Sequence, residues 1–287
     1  MKAYFYLILQ ATIFSFGGLL MKSVGTMISP YLSSSMRFFL GILLLLVIQR
    51  IQTGRVHLTL TGGMVVWGGF FKALHYLGEN YGVMNGFSYG GVLVWPVQTL
   101  AVLLISVFIL KEKLTLRMAV GTVLCVLGIM MVAWNGAPME IFLGSQVPIL
   151  AAFVIAGIGS AGFSFAQKKL LNTMDAVELN SSMFTFGWLA TLIVLIPTGP
   201  HMTGPANAAG IICMLILGAI TCVGFLLQAA ALKTIPVLVA TIIQSSTVIL
   251  TILWGVLFYG DPISGWVISG TIMFVGGILA INLRKKA

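Results

Sequence analysis

Ten apolar stretches, each about 20 residues long, run almost end to end along this chain with only short polar or Gly/Pro breaks between them. That length matches the roughly 30 Å of a bilayer's hydrocarbon core. The approximate limits are 3–23, 29–49, 61–83, 85–110, 115–135, 146–168, 177–197, 207–232, 236–260 and 263–283. Charge agrees with length. Only 7% of the 287 residues are Asp, Glu, Lys or Arg and 59% are hydrophobic, whereas an ordinary soluble protein carries about 25% charged residues. A water-soluble globule of this composition would expose more apolar surface than a monomer tolerates. The runs are apolar on every face and do not alternate, which argues against a β-barrel. The fold class expected is therefore all-α integral membrane, with ten transmembrane helices. The first run starts almost at Met1 without a small-residue cleavage site, and is read as an uncleaved membrane helix. Cys125, Cys213 and Cys222 lie within apolar runs, so neither a disulfide framework nor a zinc site is expected.

An even number of spans puts both termini on one side. Twelve of the 15 basic residues then fall on that side, Lys22 alone on the other, and Arg37 and Lys72 inside spans. The positive-inside rule places the crowded side in the cytoplasm, which makes the expected location a bacterial-type inner (plasma) membrane with cytoplasmic termini.

The chain also repeats itself. A step of 149 residues carries Glu112 to Asp261, Thr115 to Ser264, Gly121 to Gly270, Thr122 to Thr271, Val126 to Val275, Gly128 to Gly277 and Ile129 to Ile278. Nearer the start of each half, a step of 147 pairs Phe16 with Phe163, Lys22 with Lys169, Ser34-Ser35-Met36 with Ser181-Ser182-Met183, and Phe39 with Phe186. The halves are taken as residues 1–137 and 138–287. Each holds five spans, and because five is odd the second copy must enter the membrane from the opposite side. Two inverted five-helix repeats around a central cavity are the expected architecture, an arrangement common among secondary transporters.

Against this background the motifs take on a pattern. The first two spans read Phe16-Gly17-Gly18, Lys22, Ser29-Pro30 and Arg37-Phe38-Phe39-Leu40. The closing spans of the halves carry Trp95-Pro96, Leu110-Lys111-Glu112-Lys113-Leu114, Gly121 and Gly128, and then Tyr259-Gly260-Asp261-Pro262, Gly270 and Gly277. In that order and with that doubled spacing, the chain resembles the drug/metabolite transporter superfamily, specifically its EamA-type members, over nearly its whole length. The resemblance implies a ten-helix basket around a central cavity and transport of small organic metabolites. It also implies a gating or helix-packing role for Arg37. The third span departs from the family's usual apolar pattern by carrying three ionisable residues.

Those residues are Lys72, His75 and Glu79, and with Tyr76 they fall at i, i+3, i+4 and i+7 on one helical stripe. Charged groups at bilayer depth are costly to insert, at about 2.5–3.5 kcal/mol for a central Lys, Arg or Asp, so such a stripe must face protein or water. Three readings stay open. Lys72 and Glu79 hold the two ends of a zwitterion with Tyr76 and Trp95 as walls; or His75 or Glu79 carries a coupling proton, since histidine titrates near neutrality; or the stripe neutralises itself, with Arg37 capping Glu79. Trp67, Tyr76, Tyr89, Trp95, Phe163 and Trp188 are candidates for an aromatic cage around a cationic or aromatic ligand, although aromatic residues also simply pack helices. Trp95 is favoured because Pro96 behind it is expected in mid-span, where proline frees a carbonyl. In the ninth span Gln244, Ser245, Ser246 and Thr247 form a polar run whose first member pairs with Trp95 at the 149 step, and Gln244 and Ser246 are taken as lining groups. Gln98 and Gln228 are further lining candidates, as are Gln10, Ser15 and Ser164. Glu112 and Asp261 are read as caps of the helices that follow them.

No HExxH motif or phosphate-cradling loop is present, so an intramembrane enzyme and ATP drive are disfavoured. No cofactor, metal or nucleic-acid partner is expected, only a small-molecule substrate and the lipid bilayer. The expected function is a secondary active transporter of a small polar organic metabolite, with an amino acid or amine preferred. Transport would be proton-coupled or by exchange. A passive channel or facilitator is the alternative.

Overall fold

A computed structural model describes residues 2–86, 91, 93–109, 111, 115–134, 136, 147–199, 201–259 and 264–282. The helices run in the order α1 (Lys2–Ser15), α2 (Gly17–Gly25), α3 (Pro30–Thr53), α4 (Gly63–Asn85), α5 (Val94–Phe108), α6 (Leu116–Trp134), α7 (Val147–Leu170), α8 (Ala176–Leu195), α9 (Ala208–Leu232), α10 (Val237–Gln244), α11 (Thr247–Tyr259) and α12 (Gly265–Asn282). α1 with α2, and α10 with α11, are each one rod with a break, so the helices make ten rods. Among the described residues six segments are long and apolar enough to cross a membrane, and α5 with parts of α6 and α12 are shorter apolar helices. α4 spans 23 residues but is too polar to rank with them, because it carries the ionisable stripe.

Local chemistry explains where the rods start and stop. Ser29 caps α3 by accepting from Leu32 N at 3.3 Å, with Pro30 in the first turn where its missing N–H costs no bond. Gly54 ends that helix at φ 70°, a conformation glycine adopts without strain. Asp175 caps α8 through Val177 N at 2.9 Å, and Asn207 caps α9 through Gly210 N at 2.7 Å. Thr115 and Ser264, 149 residues apart, cap α6 and α12 with their hydroxyls, each at 3.3 Å. Glu112 and Asp261, expected as those caps, lie outside the described residues.

Two expectations need correction. Hydropathy treats 3–23 and 236–260 as unbroken runs, yet the rods break at Phe16 and at Ser245-Ser246. Gly17-Gly18 has low helix propensity, and Ser245 turns its hydroxyl back onto Thr241 O at 2.9 Å. Pro96 lies in the first turn of α5, not in mid-span, so it frees no interior carbonyl within that helix.

Contacts between rods come in matching sets. α4 lies along α7 as α9 lies along α1 and α2; α5 meets α7 as α10 and α11 meet α1; α4 meets α8 as α9 meets α3; and α3 packs on α8, α5 on α10 and α6 on α12. The α6–α12 seam is reciprocal at single residues. A Cβ on Gly128 would stand 2.6 Å from Gly270 O, and one on Gly277 2.6 Å from Gly121 O. Late residues of one helix meet early residues of the other, so the pair runs antiparallel. Only hydrogen fits at either site, and Gly128→Ala is expected to lower stability by about 1–3 kcal/mol through overpacking. Thermal unfolding of the purified variant in detergent checks this, and an unchanged midpoint would contradict it.

Both ends of the bundle are clasped by loops. At one end Ser29 N donates to His201 O at 2.7 Å and Thr203 N to Met27 O at 3.1 Å. At the other, His57 Nδ1 lies 2.8 Å from Glu178 Oε1, and Thr59 N donates to Ser182 Oγ at 3.0 Å. α3 separates the two clasps, and its 24 residues at 1.5 Å each make it about 36 Å long. Two lysines echo this layout. Lys22 Nζ donates to Met84 O and Gly86 O at the C-terminus of α4, at 3.2 and 2.5 Å. Lys168 Nζ does the same for Leu232 O and Ile235 O after α9, at 2.5 and 3.4 Å. A cation suits a helix C-terminus because the last carbonyls have no helical partner. The counterpart of Lys22 is thus Lys168, one residue before the Lys169 that the 147 step selects.

Candidate functional site

A cavity lies where the broken rods meet α3, α4, α5 and α9. It offers ≈ 60 Å³ to the centres of water molecules, against roughly 10–15 Å³ for one water, so it has room for about four to six waters. Both halves of the sequence line it: Gln10, Arg37, Glu79 and Gln98 from the first, and Gln228 and Gln244 from the second.

One wall is ionic. Arg37 Nη1 donates to Glu79 Oε2 at 3.0 Å and to Asn80 Oδ1 at 3.3 Å. His75 Nε2 stands 3.6 Å from the same carboxylate oxygen. Asn80 in turn donates to Ser34 Oγ at 2.8 Å, which fastens α3 to α4. Arg37 thus caps Glu79 across the gap between α3 and α4.

Lys72 stands apart from the cavity: it is 0% exposed and is not among the residues that line it. Its ammonium instead sits 3.6 Å from the ring centroid of Phe225, 4.2 Å from that of Tyr76 and 4.9 Å from that of Phe163, with His75 Nδ1 at 3.5 Å. Three ring faces replace water around the cation, each contact worth up to about 2 kcal/mol when desolvated. Tyr76 forms the partition. Arg37 Cζ lies 3.8 Å from its centroid, and its hydroxyl meets Thr221 Oγ1 at 2.9 Å.

The opposite wall is an amide chain. Gln244 Nε2 donates to Gln10 Oε1 at 2.7 Å, Gln10 Nε2 to Gln228 Oε1 at 3.0 Å, and Gln228 Nε2 to Ser164 Oγ at 3.0 Å. It joins α10, α1, α9 and α7 through the cavity's edge. The two breaks are also fastened together: Thr247 Oγ1 donates to Ala11 O at 3.2 Å, Trp254 Nε1 to Ser15 Oγ at 2.7 Å, and the Phe16 and Trp254 rings stack at 4.9 Å.

A bundle of apolar rods around a small polar cavity now has relatives to be set beside it. The sequence model of the EamA-like transporter family matches residues 1–134 and 147–283. The chain belongs to the EamA-like transporter family. An uncharacterized transporter of Clostridium kluyveri is 28% identical over 185 residues, which cover 63% of this chain and 59% of that protein. The match thus spans less than two thirds of that relative's length. A solved crystal structure superposes with a TM-score of 0.80 at 16% identity, covering 99% of both chains, a likeness of fold. Family membership and the apolar helices make this EamA-family chain a multi-pass membrane protein.

Of the residues singled out in the sequence, Arg37, His75, Tyr76, Glu79, Trp95, Gln98 and Gln244 line the cavity of this EamA-family protein. Phe163 is buried behind it in the Lys72 box, and Ser246 sits at the rod break outside the lining. Tyr89 lies outside the described residues. Phe14 and Phe225 were not singled out, yet both line the cavity and their rings meet at 5.2 Å. For Phe225 the sequence held a signal, since the 149 step relates it to Tyr76.

Proposed function

We propose that this chain is a secondary active transporter of a small polar organic metabolite, an amino acid or an amine in preference to a sugar. It works by alternating access, coupled to protons or to exchange. The substrate sits in the cavity against Glu79, Trp95, Gln98 and Gln244, beside Tyr76, and Arg37 acts in gating. His75 and Glu79, side by side at the cavity wall, are the proton-coupling pair.

The observation that carries this reading is one cavity lined by both halves of a self-repeating chain. In support of inverted repeats at 1–137 and 138–287, the α6–α12 seam is reciprocal and antiparallel, which is the contact pattern of a two-fold axis lying across the helices. The family match falls into two stretches on either side of that boundary. In support of alternating access, the halves are clasped at opposite ends by equivalent loops, 57–59 on α8 and 201–203 on the turn before α3. Release of one clasp while the other holds opens the cavity to one side. The bias of basic residues supports cytoplasmic termini in the plasma membrane.

Uptake into liposomes tests the function. A carrier gives saturable flux, counterflow with unlabelled substrate and a response to an imposed pH or substrate gradient. Flux that rises linearly with concentration and shows no counterflow would instead establish a passive pore.

A further inference from the structure

Resting on the carrier reading, we propose that Lys22 and Lys168 are positioning residues that latch opposite ends of the cavity. Lys22 must release the carbonyls at the end of α4 before the cavity opens at the Ser29–His201 end. Lys168 must release those after α9 before it opens at the His57–Glu178 end.

Four of the rods sort into two tight pairs. α4 lies along α7 so closely that a Cβ on Gly159 would stand 2.6 Å from Phe71 O, and one on Gly82 2.5 Å from the Phe153 ring. α9 lies along α1 and α2, and the Phe14 ring of α1 packs directly on Gly224. Surfaces interlocked in this way move as units, because packed cores switch between discrete arrangements and do not deform continuously. Between the pairs contact is sparser: α2 meets α4, and α7 meets α9, over far less of their surface. Near the middle of both rods Tyr76 of α4 touches Thr221 and Phe225 of α9, which gives the pairs a point to tilt about.

The two lysines join the same pairs away from that point. Lys22 reaches from α2 to Met84 O and Gly86 O, and Lys168 from α7 to Leu232 O and Ile235 O. They stand at opposite ends. Gly25, in the last turn of Lys22's helix, accepts from Thr203 Oγ1 at 3.0 Å, while Leu170, two residues past Lys168, lines one pocket with Thr59 and Glu178. A tilt that parts the pairs at one end brings them together at the other, so each opening breaks the bonds of one lysine and keeps those of its counterpart. Lys168 is half-buried and crosses to α9, whereas its neighbour Lys169 is exposed. Hydrogen bonds from a charged donor are stronger than neutral ones. Loss of one such latch therefore shifts a two-state equilibrium by about tenfold toward the end it held shut.

The test measures how fast a thiol in the cavity lining is labelled from each face of the membrane. Ser160, 6% exposed and part of that lining, is replaced by cysteine in the full chain with Cys125, Cys213 and Cys222 changed to alanine. A charged, membrane-impermeant methanethiosulfonate is applied to spheroplasts for one face and to inverted membrane vesicles for the other. Lys22→Met is expected to raise the ratio of labelling from the Ser29–His201 face to labelling from the His57–Glu178 face by about tenfold, and Lys168→Met to lower it by about tenfold. The double variant returns the ratio to its starting value. Lys22→Arg and Lys168→Arg, which still donate, stay near it. Where a methionine variant does not accumulate, glutamine, neutral and shorter than lysine, carries the same expected sign. Ratios that stay fixed in both variants while melting temperatures fall would make the lysines plain helix caps and overturn the proposal, and so would ratios that move the same way in both. The carrier reading is judged apart, by flux: counterflow of a labelled amino acid or amine with unmoved ratios keeps that reading and sinks this inference, whereas linear flux without counterflow sinks the reading itself.

Discussion

Glu79→Gln is expected to abolish transport and to lower stability by about 3–5 kcal/mol, the usual result of removing one partner from a buried ion pair. The reason lies in how little negative charge the bundle holds. Glu79 accepts from Arg37 at 3.0 Å and faces His75 at 3.6 Å, and no other carboxylate among the described residues shares that wall. Glutamine has nearly the same shape, so packing stays intact and the loss is electrostatic. A second change separates folding from function. Arg37→Gln added to Glu79→Gln removes the uncompensated cation and is expected to recover most of the stability while leaving uptake dead. Thermal unfolding and liposome uptake measure the two effects side by side. Wild-type flux from Glu79→Gln would take the carboxylate out of the mechanism.

The second large effect is expected at Gln10, the middle of the amide chain. Gln10→Leu leaves Gln244 Nε2 without an acceptor and Gln228 Oε1 without a donor. Each orphaned buried group costs about 1–3 kcal/mol, so a loss of roughly 2–6 kcal/mol is expected. Replacing Gln10, Gln228 and Gln244 together by leucine removes the chain of amides instead of breaking it. Most of the stability returns in that variant, because an absent network costs less than a half-satisfied one. Transport does not return, since the cavity has lost a polar edge built by both halves. If the single and the triple variant melted alike, the amides would not be working as a unit.

These effects were only partly foreseeable from the sequence. Ten runs of apolar residues gave the rods, because a hydrocarbon-length stretch with few charges has few other ways to satisfy its backbone. The i, i+3, i+4, i+7 stripe was equally plain, and Glu79, His75 and Tyr76 do line the cavity. Lys72 belongs to the same stripe and was grouped with them. Helical periodicity places residues on a face but cannot say which neighbouring rod covers part of that face, and Phe225 from α9 covers Lys72. The breaks at Phe16 and at Ser245-Ser246 escaped hydropathy for a related reason. A window average registers how apolar a run is and not whether its backbone turns.

The hydrogen-bond partners were the least legible part. Gln10 and Gln228 are 218 positions apart, and Gln10 and Gln244 are 234 apart. Each glutamine is an isolated polar residue in an apolar run, and nothing local marks it as one link of a chain. The repeat helped most where it was strictest, between residues 112–129 and 261–278. At the Gly128 and Gly277 seam the same close approach is made twice.

The sequence by itself determined that this chain is a bundle of apolar, membrane-crossing rods, because hydrophobic length is a local, additive property that a linear reading captures. Which charges face one another was decided only by the tertiary structure. Arg37 met Glu79, and Lys72 was sealed behind Tyr76, through contacts among α3, α4, α7 and α9. The energy of a buried charge depends on its nearest few ångströms, and those are supplied by residues far away along the chain.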